Sequence, residues 1–103
     1  MKTECTISKA SNILGSKWTL EMIYFLQQPL RFCELQDELG RINPATLSQR
    51  LKSLEAEQII SRHVFDDSQR HVEYELTPKG KDLVSLYEHL TAWISRWYPE
   101  EAK

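Results

Sequence analysis

The sequence lacks the features that would mark an enzyme, a membrane protein or a disulfide-bonded protein. It has two cysteines without a C-x-x-C pair and three glycines, none of them in a phosphate-binding loop. It contains no acidic cluster for a metal, no nucleophile with a matching His and carboxylate pattern, and no apolar run near the roughly 18 residues of a membrane span. No apolar stretch follows Met1-Lys2, as a signal peptide would require. We expect a soluble, cytoplasmic protein that is not an enzyme and needs no cofactor or metal.

A strongly basic composition is also missing. The net charge is −2 and the pI is about 5.9. Since affinity for any polyanion depends on phosphate neutralisation by Lys and Arg, nucleic-acid binding would need locally clustered charge. Between Arg41 and Arg62 four cationic residues stand against two glutamates, which is a weak excess in that direction.

The length and composition predict one domain. At 103 residues, with 41% hydrophobic and 27% charged residues, residues 1–103 can form one modest core and are too few for two.

Residues 43–57 carry the clearest helix signal. Asn43 can cap the first N–H groups, and Pro44 suits the first helical position. Three leucines recur at the spacing that lines one buried side: Leu47, Leu51 and Leu54.

The opposite side of this helix is small and polar. At about 100° per residue it comprises Ala45, Gln49, Lys52, Ser53 and Ala56, with Thr46 and Arg50 on the flanks. Short side chains with one amide and two cations can lie close to base edges, as a helix in a DNA major groove must. An ordinary solvated face remains the alternative.

The rest of the chain predicts three shorter helices, a hairpin and a long last helix. The helices cover residues 7–14 and 18–26 and the segment from Phe32 to Leu39, with Cys33 as the N-cap and Gly40 as the end of the third. Residues 59–65 and 71–76 form strands around a polar tip at 66–70. The last helix covers residues 78–97, and its apolar positions exceed what one small domain can cover.

Gln58 directly follows the 43–57 helix. Glycine would ease the left-handed turn expected there, so this side chain costs on the order of 1 kcal/mol.

In this order of elements the chain resembles the HxlR-type branch of the MarR-like transcription regulators. The residues that carry the resemblance extend over nearly the whole chain: Cys5, 14–20 (LGSKWTL), Arg31-Phe32 with Glu34-Leu35, Ile42-Asn43-Pro44, 47–51 (LSQRL) with Leu54-Glu55, and 72–77 (VEYELT). The resemblance implies a mainly α winged helix-turn-helix protein with a small β-hairpin wing, acting as a homodimer on double-stranded DNA with an inverted-repeat operator.

The implied DNA contacts lie on the 43–57 helix and on the wing. They are Asn43, Ala45, Thr46, Ser48, Gln49, Arg50, Lys52, Ser53 and, at the wing tip, Arg70. Asp66 and Asp67 occupy a tip where relatives often carry prolines, and carboxylates would repel phosphates unless the tip bends away.

Relatives of this type often use a cysteine just before the first helix to sense oxidants or electrophiles. Cys5 matches that position, with Lys2 and Lys9 nearby, and Cys33 is a possible second thiol. The alternative is that Cys5 is a small, inert, buried residue.

Other interpretations remain open. The chain could be a winged-helix interaction module without DNA binding. Arg50 could support the fold by pairing with an acid. His63 and His71 could face each other across the hairpin, where a metal site would still need more ligands. Trp18, Trp93 and Trp97 fit core and interface packing better than a cofactor site.

Overall fold

The protein is mainly helical with one β-hairpin, as the sequence predicts. The computed structural model describes residues 3–66 and 71–100, with side chains of the first helix from residue 6 onward. In chain order its elements are α1 (Thr3–Leu14), α2 (Thr19–Phe25), α3 (Phe32–Glu38), α4 (Pro44–Ala56), β1 (Ile60–Val64), β2 (Val72–Leu76), α5 (Pro78–Lys81) and α6 (Val84–Trp97).

Helices α2, α3 and α4 enclose the core together with the base of the hairpin. The three leucines of α4 are buried, as their spacing predicts. They pack in one cluster with Met22, Ile23, Leu26, Leu35, Leu39, Ile42, Ile59, Ile60 and Leu76. One side of α4 is therefore fixed inside the molecule, and its opposite side faces outward.

The turn between α3 and α4 is tight because two successive residues adopt left-handed backbone. Gly40 has φ 72° and Arg41 has φ 62°. Glycine takes this conformation without steric cost, whereas arginine does not. The Gln36 side chain closes the turn by donating to the Ile42 carbonyl at 2.9 Å. The pair α3 and α4 thus forms a helix-turn-helix.

Strands β1 and β2 pair antiparallel, and β2 also forms a bridge with Leu30. The register places His63 opposite Glu73, and the Phe65 N–H donates to the His71 carbonyl at 2.8 Å. The expectation that His63 and His71 face each other is therefore wrong. The two histidines lie at different levels of the hairpin because the connecting loop starts after Phe65.

The last helix differs from the prediction because it is interrupted at Asp82 and Leu83. There the Leu83 N–H bonds to the Gly80 carbonyl, three residues back, instead of four. Helix α5 is held against Ile59, the residue before β1. Thr77 caps the helix, and a Cβ on Gly80 would lie 2.1 Å from the Ile59 carbonyl oxygen. The interruption lets α6 leave this fixed turn and pack beside α2, where Tyr87 stacks on Tyr24.

Two helix starts also differ from the prediction. Helix α1 begins at Thr3 rather than residue 7, so Cys5 lies inside the helix instead of ahead of it. In α3 the N-cap is Arg31, whose backbone N–H donates a hydrogen bond to the Glu34 carboxylate at 2.8 Å. Cys33 is therefore the second residue of α3 and not its cap. The helix starts earlier than predicted because the Glu34 side chain bonds the backbone N–H of Arg31.

Candidate nucleic-acid interface

The outward face of α4 is the candidate interface. Five residues on it are exposed, as predicted: Ala45, Gln49, Lys52, Ser53 and Ala56. Thr46, Ser48 and Arg50 are half-buried at its margins. None of these side chains is large and apolar, so the helix backbone can approach a surface closely. The side chains then offer amide, hydroxyl and ammonium groups for hydrogen bonds.

Asn43 has a defined structural task at the start of α4. Its Oδ1 accepts hydrogen bonds from the N–H groups of Ala45 at 2.8 Å and Thr46 at 3.4 Å. This confirms the predicted cap. The side-chain NH₂ group keeps two donors of its own, and these are the atoms with which Asn43 could meet a ligand.

Arg50 anchors one flank of α4 to the rest of the fold. Its Nε donates to the Lys17 carbonyl at 3.2 Å, in the turn between α1 and α2. The expected support of the fold is therefore present, but through a backbone carbonyl rather than an acidic partner. The bond uses one of the five guanidinium N–H donors, so the side chain can still serve a second partner.

The C-terminal end of α4 is linked to α1 and α5. Glu57, the C-cap, accepts the Lys9 ammonium at 3.1 Å, and its carbonyl accepts the Lys79 ammonium at 2.7 Å. Helix α1, which contains Cys5, is thereby connected to the helix that carries the candidate interface.

The stem of the wing lies beside the C-terminal part of α4. Glu55, Ser61 and Arg62 line one shallow depression there, together with Pro78 and Lys79 of α5. Side chains alternate between the two faces of a strand, so Arg62 and Val64 lie on the same face of β1 as the buried Ile60. That face is buried at the base of the hairpin and exposed toward its tip.

The second face of the wing carries its histidines and glutamates. His63 Nε2 lies 2.8 Å from Glu75 Oε1, and His71 Nε2 lies 2.6 Å from Glu73 Oε2. The His71 ring also stacks on Phe65. Although carboxylates are close to both histidines, no group of three or more His, Cys, Asp or Glu residues within 3–66 and 71–100 could hold a metal ion.

Two predicted site residues cannot be placed at this interface. Arg70 and the Cys5 side chain lie outside the described residues, as does Asp67 of the wing tip. Cys33 is exposed, and its thiol is free.

Helices α1 and α6 carry further exposed apolar residues. No residue of α6 is buried in the described chain, and Trp93 and Trp97 are 47% and 64% exposed. Further large exposed apolar residues are Ile7 on α1 and Leu86, Leu90 and Ile94 on α6. Trp18, by contrast, packs against the core. Within the described part of the chain no helix is long and apolar enough to cross a membrane.

Sequence comparison links the chain to proteins described as HTH-type transcriptional regulators. A family model described as HxlR-like helix-turn-helix matches residues 13–102. The uncharacterized HTH-type transcriptional regulator BH0655 of Halalkalibacterium halodurans is 39% identical over 84 residues, covering 80% of this chain and 74% of that protein. The HTH-type transcriptional regulator YodB of Bacillus subtilis is 32% identical over 92 residues, covering 88% and 82%.

Solved structures agree with the sequence matches. A MarR-family transcriptional regulator from Enterococcus faecalis V583 superposes with a TM-score of 0.85 at 28% identity, over 99% of this chain and 94% of that one. The reduced form of B. subtilis YodB gives a TM-score of 0.81 at 30% identity, over 95% of each chain. YodB has also been solved bound to a quinone and after diamide treatment.

Proposed function

Because the chain belongs to the HxlR-like helix-turn-helix family, we propose that it regulates transcription as a homodimer that binds an inverted-repeat operator through α4. It is a DNA-binding transcriptional regulator, and its relatives favour this function over an interaction module without DNA binding. The observation that carries the operator contact is the face of α4 made of small and polar exposed residues and fixed by Asn43 and Arg50. We assign base contacts to Gln49 and backbone contacts to Lys52.

The exposed apolar surface of α1 and α6 supports the homodimer. A row of side chains such as Leu90, Trp93 and Trp97 is larger than the scattered apolar exposure of an ordinary monomer surface. A second copy of the chain packed on it by two-fold symmetry would place two α4 helices side by side. Half-sites about 34 Å apart, one DNA turn, then follow for a dimer of this kind.

Two measurements test this proposal. Selection of bound DNA from a random pool should enrich an inverted repeat, and sedimentation at micromolar concentration should give a dimer. A monomer that enriches no sequence would refute both parts. A dimer that enriches a single unrepeated site would refute only the two-fold placement of α4.

We also propose that the regulator responds to oxidants or electrophiles through Cys5. The support is its position in α1, one turn before Lys9, whose ammonium contacts Glu57 at the end of α4. The comparison with YodB, solved in reduced, quinone-bound and diamide-treated forms, points the same way. A modified Cys5, or its disulfide with Cys33 of the partner subunit, would displace α1 and so change the separation of the two α4 helices.

The test is DNA affinity before and after diamide or a quinone, in the parent and in Cys5→Ser. We expect loss of binding in the parent alone. Cys33→Ser distinguishes the two chemistries, because it should abolish the diamide response and leave the quinone response. Equal loss in the parent and Cys5→Ser would remove Cys5 as the sensor and leave the DNA-binding function intact.

A further inference from the structure

The two flanks of α4 lie next to different parts of the molecule. A cation from outside α4 lies near each flank: Lys17 near the first and Arg62 near the second. At about 100° per residue, Arg50 lies on one flank and Glu55 on the other. Arg50 reaches Lys17 in the turn between α1 and α2. Glu55 lines the depression shared with Arg62 of the wing.

Lys17 is held beside the first flank. Its carbonyl accepts the bond from Arg50, which fixes the backbone of residue 17 against α4. The next residue, Trp18, has φ 82° and packs on the core, so the turn is anchored from both sides. The exposed Lys17 ammonium lies 5.1 Å from the centre of the Trp18 ring. A cation over a ring face is restricted in position but keeps N–H donors for an anion.

Arg62 lies in the stem of the wing, in the depression that Glu55 of the second flank also lines. It shares a hairpin face with Ile60, which is buried against the core at 2% exposure, whereas Arg62 itself is exposed. This face of the hairpin therefore packs on the core at Ile60 and extends beyond the core at Arg62. The acidic groups Glu73 and Glu75 lie on the opposite face, each bonded to a histidine, so the face with Arg62 does not carry their charge.

A helix in a major groove lies between two phosphate backbones, because the groove is about 12 Å wide and a helix with its side chains nearly fills it. Cations at both flanks of such a helix are therefore opposite both walls of the groove. We infer that Lys17 and Arg62 are further DNA-contacting residues, each binding phosphate on one wall of the groove that α4 occupies.

This inference rests on the proposed binding of α4 in the major groove, and it extends the contact surface to the α1–α2 turn and to the stem of the wing. These contacts carry no base information, but they fix the depth and angle of α4 in the groove. They would add two cations to the DNA-facing side of a chain whose net charge is −2.

The salt dependence of DNA affinity tests the inference. We would measure the parent, Lys17→Ala, Arg62→Ala and the control Lys81→Ala, which removes an exposed lysine from α5. Loss of one phosphate contact should reduce the slope of log affinity against log salt by about 0.9 per subunit. Between 50 and 200 mM salt, the fold loss of affinity should then be about 3.5 times smaller per subunit in each flank variant than in the parent. The Lys81 variant should match the parent.

The charge-preserving variants Lys17→Arg and Arg62→Lys should restore most of the slope, and thermal unfolding checks that all variants fold. An unchanged slope in a folded Lys17→Ala or Arg62→Ala variant would overturn the two-wall arrangement. An equal change in Lys81→Ala would also overturn it, because the effect would then be one of net charge. A parent that binds no DNA would instead refute the proposed function itself.

Discussion

Replacing Gln49 and Lys52 one at a time should separate base contacts from backbone contacts on α4. Gln49 lies at the centre of the exposed face, and Lys52 lies about 60° around the helix from it. The central residue of a groove helix points at base edges, whereas a residue toward the margin points at the backbone. Gln49→Ala and Lys52→Ala are therefore expected to differ in kind as well as in size.

The expected magnitudes follow from the contacts that each side chain can make. A glutamine amide that pairs with adenine is worth about 1–3 kcal/mol, which is about 5- to 150-fold in affinity for the preferred base pair. Lys52 can bind one phosphate, so Lys52→Ala should weaken all sequences alike and lower the salt slope by about 0.9 per subunit. Both side chains are exposed and alanine favours helix, so neither change should reduce stability.

The assay is a competition measurement with the selected operator and with a panel of single base-pair variants, at two salt concentrations. Gln49→Ala should bind the operator and one set of base-pair variants equally well. Lys52→Ala should keep the parent's order of preference at every position. Ser85→Ala, an exposed change on α6, is the control and should alter neither property.

The reasoning is refuted if both folded variants bind every DNA like the parent, because the exposed face of α4 would then not touch DNA. If Gln49→Ala lowered the affinity for all DNA sequences alike, without changing the base-pair preference, Gln49 would contact the DNA backbone instead of a base. This result would also mean that α4 is rotated from the orientation argued here.

Two further predictions concern stability. Gln58 has φ 61° at the end of α4, so Gln58→Gly should raise the free energy of unfolding by about 0.5–1 kcal/mol, seen as a higher Tm. Gln58→Ala keeps the left-handed strain and should give no such gain. Gly80→Ala would place a methyl group 2.1 Å from the Ile59 carbonyl oxygen and should lower stability by about 1–3 kcal/mol, whereas Lys81→Ala in the same turn should not. A Tm unchanged by Gly80→Ala would mean that α5 can shift away from Ile59 at little cost.

The parts of the fold that local sequence determines could be predicted, and α4 is the clearest example. Its start at Asn43 and Pro44 and its buried leucines depend only on residues within the helix. The interruption between α5 and α6 could not be predicted in this way. It depends on the approach of Gly80 and Thr77 to Ile59, about twenty residues earlier in the chain, while residues 78–97 taken alone form a continuous helical pattern.

The candidate site shows the same division. The exposed face of α4 follows from periodicity. Lys17 belongs to the 14–20 segment that carries the family resemblance, but nothing in the sequence relates it to α4. Its relation to the site comes from a hydrogen bond to Arg50 across 33 residues. The histidines were misplaced for a related reason, because strand register depends on where the loop begins and not on the strands alone.

Arg50 combines a structural and a DNA-binding role, and a matched pair of variants can separate them. In Arg50→Gln the amide nitrogen is as many bonds from Cα as the arginine Nε, so it can still donate to the Lys17 carbonyl, but the charge is lost.

We expect Arg50→Gln to keep the parent's Tm and to lose about 0.9 per subunit of the salt slope. Arg50→Ala loses the bond as well and should also be destabilised by about 0.5–1.5 kcal/mol. Calorimetry and a salt titration on the same preparations measure both quantities. A parental slope in Arg50→Gln would make Arg50 a residue of the fold alone. A parental Tm in Arg50→Ala would show instead that the bond to Lys17 adds nothing to stability. The contribution of Arg50 would then be its charge alone.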